Sequence, residues 1–147
     1  MRFVLVDRIV ALEPGVRVEA VRRIPEDDDY FQDHFPGFPV VPGVLLTEMM
    51  GQAAAKALDV EQRSRGKAML AKILSASFRR WVRPGDEVVL HAQLSSNTDR
   101  FAQADCQASV QGATVAQAQL FFTFVPTDTF APGLRDPVLD AYLASQR

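Results

Sequence analysis

Apolar and polar residues alternate along four stretches of the chain. A two-residue period is typical of a strand with one buried and one solvated face. The stretches that show it are residues 16–23, 87–95, 100–111 and 114–125. Residues 68–82 are more continuously apolar and predict a further strand. Because short polar turns separate the last three strands, we expect these to pair as an antiparallel meander.

A different pattern covers residues 42–58, where apolar residues occupy nearly every side of a predicted helix. Pro42 suits the first helical position, because a residue there needs no acceptor for its N–H group. A helix that is apolar all round is expected to be buried all round. Small residues permit close approach of a covering sheet, and here they are Gly51, Ala53, Ala54 and Ala55.

One buried helix and four or more long strands predict an α+β domain. In a two-layer plan these elements bury one another only if the sheet curves round the helix. An open curved sheet leaves an edge strand with unpaired backbone groups, and pairing across a two-fold axis removes that edge. We therefore expect a homodimer.

The composition is that of one folded domain. The chain has 147 residues, 48% of them apolar, and a net charge of −2, which does not favour nucleic acid as a partner. Cys106 is alone, which excludes an internal disulfide and a cysteine-based zinc site. Residues 27–29 are acidic and predict a turn rather than a metal site. With no signal peptide and no apolar stretch of about 18 residues, we expect a cytoplasmic protein without a membrane segment.

A loop of little conformational freedom follows His34. The eight residues that end at Gly43 include three prolines and two glycines, and proline fixes φ and restricts its preceding residue. Glu48 lies inside the apolar helix, where an unpaired carboxylate costs several kcal/mol and requires a partner. Gln52 lies one turn further on the same face and is placed to donate a hydrogen bond to it.

Gly43 is the third component of a candidate site. In the first helical turn, backbone N–H groups lack intrahelical partners, and the helix dipole favours negative charge. Such a group polarises a carbonyl and stabilises an enolate oxygen. An imidazole, a carboxylic acid and an N–H donor suit proton abstraction next to a carbonyl, with departure of a β-substituent. On these residues alone, a structural histidine and a carboxylate that caps a group in the core remain alternatives.

Residues 34–52 resemble the motif H-F-P-G-x-P-V-x-P-G-V-L-x-x-E-x-x-x-Q of the short 3-hydroxyacyl-[acyl carrier protein] dehydratases of the FabZ type. Residues 6–9 and 78–86 are similar to the flanking segments of that family. The resemblance implies a hot-dog fold, a long central helix wrapped by a curved antiparallel sheet, over residues 1–126. Residues 127–147 go beyond the usual end, and we expect a short helix in this C-terminal extension.

The resemblance also implies roles for single residues. His34 is the general base, and Glu48 of the partner subunit is the acid that assists loss of the hydroxyl group from a (3R)-3-hydroxyacyl thioester, leaving a trans-2-enoyl thioester. The Gly43 N–H group holds the thioester carbonyl, and Gln52 orients the acid. The side chains implied as the lining of the acyl tunnel are Phe35, Phe38, Pro39 and Val44.

The partner implied by the resemblance is an acyl carrier protein, an acidic helical protein that delivers the substrate on its phosphopantetheine arm. No metal and no tightly bound cofactor are implied. Arg79, Arg80 and Arg83 are the expected docking residues, in a basic cluster that also includes Arg63. The alternative for this cluster is a set of solvated positions between strands. The implied assembly is a homodimer with shared active sites, alone or as a trimer of dimers.

Two departures from the family pattern lie close to the histidine. Asp33 replaces a glycine, and Phe38 stands where arginine is usual. They leave the reaction class intact and the acyl length and the pathway open, whether fatty-acid or specialised, polyketide-like biosynthesis. A hot-dog thioesterase is one alternative function. A non-catalytic module that binds acyl chains or their carrier, with the histidine disabled by Asp33, is another.

Overall fold

A computed structural model describes residues 1–60, 65–130 and 133–147. Its helices and strands are, in chain order, β1 (Arg8–Glu13), β2 (Arg17–Arg23), α1 (Gly43–Asp59), β3 (Lys67–Phe78), β4 (Glu87–Asn97), β5 (Phe101–Val110), β6 (Ala113–Val125) and α2 (Pro137–Ser145). Short 3₁₀ helices cover Asp29–Gln32 and Thr127–Thr129.

The strands form one antiparallel sheet with the order β1-β2-β4-β5-β6-β3. The consecutive strands β4, β5 and β6 are the predicted meander, and α1 contacts every strand from β2 to β6. The sheet thus curves round the helix, and the predicted α+β architecture is confirmed.

Small side chains explain how closely the helix and the sheet approach. The facing surface of the sheet presents Ala92, Ala104, Cys106, Ala108, Ala116 and Ala118, all of them buried. The helix presents its own buried glycine and alanines to them. Burial, with a smaller contribution from Asp105, raises the pKa of the Cys106 thiol to about 12. This thiol is therefore protonated at neutral pH and packs as a small apolar group.

Two boundaries differ from the sequence predictions, and one strand was not predicted. Pro42 is the N-cap residue of α1, with φ −56° and ψ 138°, and the helix begins at Gly43. Strand β3 ends at Phe78, four residues early, because the next two N–H groups both point to the carbonyl of Val115. Strand β1 was not predicted, because Ile9 is its only buried residue and the sequence shows no alternation there.

The prediction that the helix is buried all round is wrong for the single chain. Val44 is 75% exposed, and further along the same side of α1 Glu48, Gln52 and Lys56 are partly exposed. The sheet covers the other sides of the helix. The candidate acid Glu48 therefore lies on the side of α1 that the sheet of the same chain does not cover.

Strand β3 is the second open surface. It pairs only with β6, so one side of its backbone has no partner strand among the described residues. All but its first two residues are exposed, although many are apolar, among them Met69, Leu70, Ile73, Leu74 and Phe78. An apolar edge strand of this length is a site at which another strand can pair, and natural proteins usually cover such edges.

The opposite edge of the sheet is covered by the C-terminal extension. Helix α2 packs against β1 and buries Leu139. The carboxylate of Asp136 makes two contacts. Its Oδ1 accepts the Leu139 N–H at 3.1 Å, and its Oδ2 lies 2.6 Å from Lys56 Nζ. Asp136 therefore caps α2 and ties it to α1.

Removing this carboxylate should weaken the attachment of the extension through the loss of two interactions, the helix cap and the ion pair. We expect Asp136→Ala to lower the free energy of unfolding by about 2 kcal/mol, since both the cap and the ion pair of a mostly buried lysine are lost. Asp136→Ser, which retains a capping oxygen, should lose about half as much. Urea unfolding at one protein concentration measures both values.

Asp99→Ala is the matched control, because Asp99 is exposed in a turn and such substitutions usually change stability by less than about 0.5 kcal/mol. An Asp136→Ala variant as stable as this control would show that the extension contributes nothing through Asp136.

Candidate active site

A hydrogen bond to the backbone fixes the state of the His34 ring. Its Nδ1 lies 3.0 Å from the carbonyl oxygen of Val40. A carbonyl only accepts, so Nδ1 carries the proton in this bond, and in the neutral ring Nε2 is the basic nitrogen. The ring is partly buried and stacks on Phe35 with centroids 4.0 Å apart. The imidazole thus presents one defined nitrogen as a base.

The loop that follows is held by its own backbone. The N–H of Phe35 donates to the carbonyl of Phe38 at 3.0 Å, and the reverse bond is 2.8 Å. The N–H of Val40 donates to the carbonyl of His34 at 3.0 Å. The His34–Phe35 peptide is cis, and the turn places Gly37 at φ +75°, which favours glycine. These backbone hydrogen bonds close the turn and hold the backbone of His34 in place.

Glu48 is oriented by Gln52 through contacts that begin at the chain's N-terminal segment. Gln52 Oε1 accepts the N–H of Leu5 at 2.8 Å, and Nε2 donates to the carbonyl of Phe3 at 3.0 Å. These backbone partners allow only one orientation of the amide. Nε2 also donates to Glu48 Oε1 at 3.1 Å. The predicted position of Gln52 beside the carboxylate is confirmed, and Oε2 is left for other partners.

Gly43 lies at the first helical position, and its N–H has no acceptor among the described residues. A side chain could not be added there without disturbance, since a Cβ atom would lie 3.1 Å from the ring of Phe78. A larger residue at position 43 would require the Phe78 ring to shift by a few tenths of an ångström.

The structure does not bring the candidate base and acid of one chain together. Within the described residues, no hydrogen bond or ion pair joins His34 to Glu48, and none joins Asp33 to His34. Of the predicted tunnel residues, Phe35 and Val44 are exposed, whereas Phe38 and Pro39 are half-buried. A single chain thus presents these side chains on open surfaces.

The three predicted docking arginines lie together. With Phe78 and Trp81 they line a cavity of about 630 Å³. Other basic residues near them in sequence have partners elsewhere. Arg65 stacks on the ring of Phe124 at 4.0 Å, and Lys67 pairs with Asp59 at 2.5 Å. Arg63 lies outside the described residues.

Sequence reasoning missed several contributors to the site. Phe3 and Leu5 act through backbone atoms, which no side-chain pattern reveals. Phe78 was read only as part of a strand, and at the end of β3 its ring lies against Gly43.

The described residues contain no candidate metal site, because their histidine, cysteine, aspartate and glutamate side chains form no group of three or more that could hold a metal ion. No helix among these residues combines the length and the apolar character needed to cross a membrane.

Comparison with known proteins identifies the family of the chain. Residues 1–119 match the FabA-like domain family. The 3-hydroxyacyl-[acyl-carrier-protein] dehydratase FabZ of Chloroflexus aggregans is 40% identical over 121 residues, which cover 82% of this chain and 84% of that protein. The enzyme of the same name from Ruminiclostridium cellulolyticum is 37% identical, with 82% and 85% covered.

Solved structures share the fold at lower identity. The E. coli PaaI protein superposes with a TM-score of 0.62 at 15% identity, covering 79% of this chain and 81% of that one. A chain of the dehydratase heterocomplex ApeI:P from Xenorhabdus doucetiae gives 0.60 at 16% identity, covering 78% and 96%. At these identities the likeness concerns the fold alone. The family match and the dehydratase relatives go further, and the chain belongs to the FabA-like family as a hot-dog protein of the FabZ dehydratase type.

Proposed function

We propose that this protein removes water from (3R)-3-hydroxyacyl thioesters carried by an acyl carrier protein and releases trans-2-enoyl thioesters. The observation that carries the proposal is the His34 ring, whose Nδ1 is held by the Val40 carbonyl so that Nε2 is the base. The unpaired N–H of Gly43 lies at the other end of the same loop. The dehydratases related to this chain support the same reaction.

The proposed elimination needs only three groups of the protein, an imidazole, a backbone N–H and a carboxylic acid. His34 Nε2 takes a proton from C2, and the electron pair moves into an enolate whose oxygen accepts the Gly43 N–H. As C2=C3 forms, the C3–O bond breaks and the leaving hydroxyl takes a proton from Glu48 of the partner subunit. Because Gln52 occupies Oε1, that proton comes from Oε2. The elimination is redox-neutral, so we expect it to need no cofactor.

A shared site follows from the two open surfaces of the chain. Within the described residues of one chain no hydrogen bond or ion pair joins His34 to Glu48, and both the stripe of α1 that bears Glu48 and the apolar edge of β3 are exposed. A second copy that pairs along β3 would cover both. We infer a homodimer in which each site combines one subunit's His34 with the partner subunit's Glu48, and dimers could assemble further into a trimer of dimers.

The remaining parts of the proposal concern setting and boundaries. Residues 1–126 form the catalytic domain, and residues 127–147 form an extension fixed to α1 by Asp136. The acidic carrier docks at Arg79, Arg80 and Arg83, close to the histidine loop. The same dehydration occurs in fatty-acid biosynthesis and in specialised acyl pathways. We place the protein in the cytoplasm.

An assay with a 3-hydroxyacyl N-acetylcysteamine thioester separates the candidate functions. We expect enoyl absorbance to appear without free thiol, and His34→Ala to lower kcat by about 10²–10⁴-fold, since general acid–base groups typically contribute that much. Release of thiol would instead identify a thioesterase. Formation of neither product would indicate a non-catalytic binding module. Thiol release and the absence of any product each contradict the proposal.

Mixed dimers test the shared site. We expect His34→Ala and Glu48→Ala enzymes to be inactive alone, and heterodimers of the two to recover activity, because one of their two sites has both wild-type residues. Co-expression with two different affinity tags and tandem purification isolates the heterodimer, and the assay above measures it.

A heterodimer of wild-type and doubly substituted subunits is the control, since it contains no complete site if sites are shared. If that control is active and the complementing heterodimer is not, each site is built from one chain and the shared arrangement is wrong.

A further inference from the structure

Trp81 is placed unusually for an apolar side chain. It is 71% exposed, more than any other aromatic side chain of the described residues, and the sequence contains no other tryptophan. Leaving a large aromatic surface in water forgoes the favourable free energy of its burial. Tryptophan and arginine are the residues most enriched among those that dominate binding energy in protein interfaces. The exposed ring therefore marks a contact surface.

The surroundings hold this ring in place before any partner arrives. It packs against Phe38 in a T-shaped arrangement, with centroids 4.8 Å apart and planes at 82°. The next residue, Val82, is fully buried and accepts the N–H of Val41 at 2.8 Å. Phe38 also contacts Arg83, whose guanidinium lies over the ring, 4.6 Å from its centroid. A preorganised side chain loses less entropy on binding.

The rim of the surface is positive. Trp81 shares its cavity of about 630 Å³ with Phe78 and three arginines, and no acidic residue lines it. Arg79 Nη2 donates to Gln117 Oε1 at 2.7 Å, so this arginine is anchored. The guanidinium of Arg80 makes no hydrogen bond or ion pair with the described residues. An apolar centre inside a charged rim is the usual anatomy of a specific protein interface.

We propose that Trp81 is the apolar anchor of the carrier-docking surface, and that the carrier presents to it an aliphatic side chain flanked by carboxylates. The proposal rests on the proposed function for the identity of the partner. It adds that docking depends on a buried apolar contact as well as on charge.

Charge argues against a second copy of the chain as the occupant. A two-fold contact centred on this surface would bring the same three arginines of each copy together, and like charges placed face to face are unfavourable. An acidic partner neutralises them. Phe38 belongs to the histidine loop, four residues after His34, so a carrier on Trp81 is seated beside the base.

Fluorescence of the single tryptophan tests the contact without catalysis. The probes are the acyl carrier proteins encoded in the source genome, without an acyl group and chosen or altered to lack tryptophan. Titration of one of them into the wild-type protein should shift the Trp81 emission to shorter wavelength. If none of these carriers changes the emission, the anchor proposal is wrong, whether or not the protein is a dehydratase.

Kinetics with two substrates then separate docking from catalysis. We expect Trp81→Ala to raise KM for a carrier-bound substrate by about 30-fold, the equivalent of a 2 kcal/mol hot spot, and to leave turnover of the N-acetylcysteamine thioester unchanged. Trp81→Phe should recover most of the loss. Phe101→Ala, which removes an exposed aromatic side chain elsewhere, should change neither substrate.

Salt distinguishes the apolar anchor from its charged rim. The defect of Arg80→Glu should shrink as ionic strength rises, because screening weakens surface charge, whereas the defect of Trp81→Ala should persist. Equal losses on both substrates would assign Trp81 to the site itself. A change in oligomeric state measured by light scattering would assign it to a contact between copies. Either result overturns the proposal.

Discussion

The hydrogen bond between His34 Nδ1 and the Val40 carbonyl is the constraint on which the rest of the site depends. It fixes the tautomer of the neutral ring and leaves Nε2 as the nitrogen that can act as the proposed base. It requires the turn between these residues, whose paired backbone bonds are closed by glycine and bounded by proline. The same turn carries the chain into α1, where the N–H of Gly43 has no acceptor among the described residues. One short loop thus positions both the proposed base and the proposed oxyanion donor.

The acid is positioned by separate means. Backbone atoms of the N-terminal segment orient the Gln52 amide, and that amide orients Glu48. One turn further along α1, Lys56 is held by Asp136 of the C-terminal extension. Both ends of the chain therefore contact the same side of α1. They leave open its first part, from Val44 to Glu48, which the proposed dimer needs for the partner's loop.

Much of this arrangement was predictable from sequence, for physical reasons. Alternation identified β2, β4, β5 and β6, because each has one face on the core, and the apolar run of α1 identified a helix wrapped by a sheet. The motif located His34, Gly43, Glu48 and Gln52, because their spacing along loop and helix is local. Strand β1 escaped notice because it buries a single side chain. The roles of Phe3, Leu5, Phe78 and Trp81 depend on where the folded chain brings distant segments together, and no local pattern encodes that.

In the proposed mechanism His34 removes the C2 proton and Glu48 protonates the leaving C3 hydroxyl. Isotope exchange at C2 separates these two steps. A 3-hydroxyacyl thioester with two deuterons at C2 is incubated in ordinary water, and mass spectrometry follows the substrate and the enoyl product. With Glu48→Gln, the account predicts that unreacted substrate loses one deuteron while little enoyl product forms. With His34→Ala, it predicts neither deuteron loss nor product. Deuteron loss with His34→Ala at the wild-type rate, or none with Glu48→Gln, would contradict the assignment of the two steps to these residues.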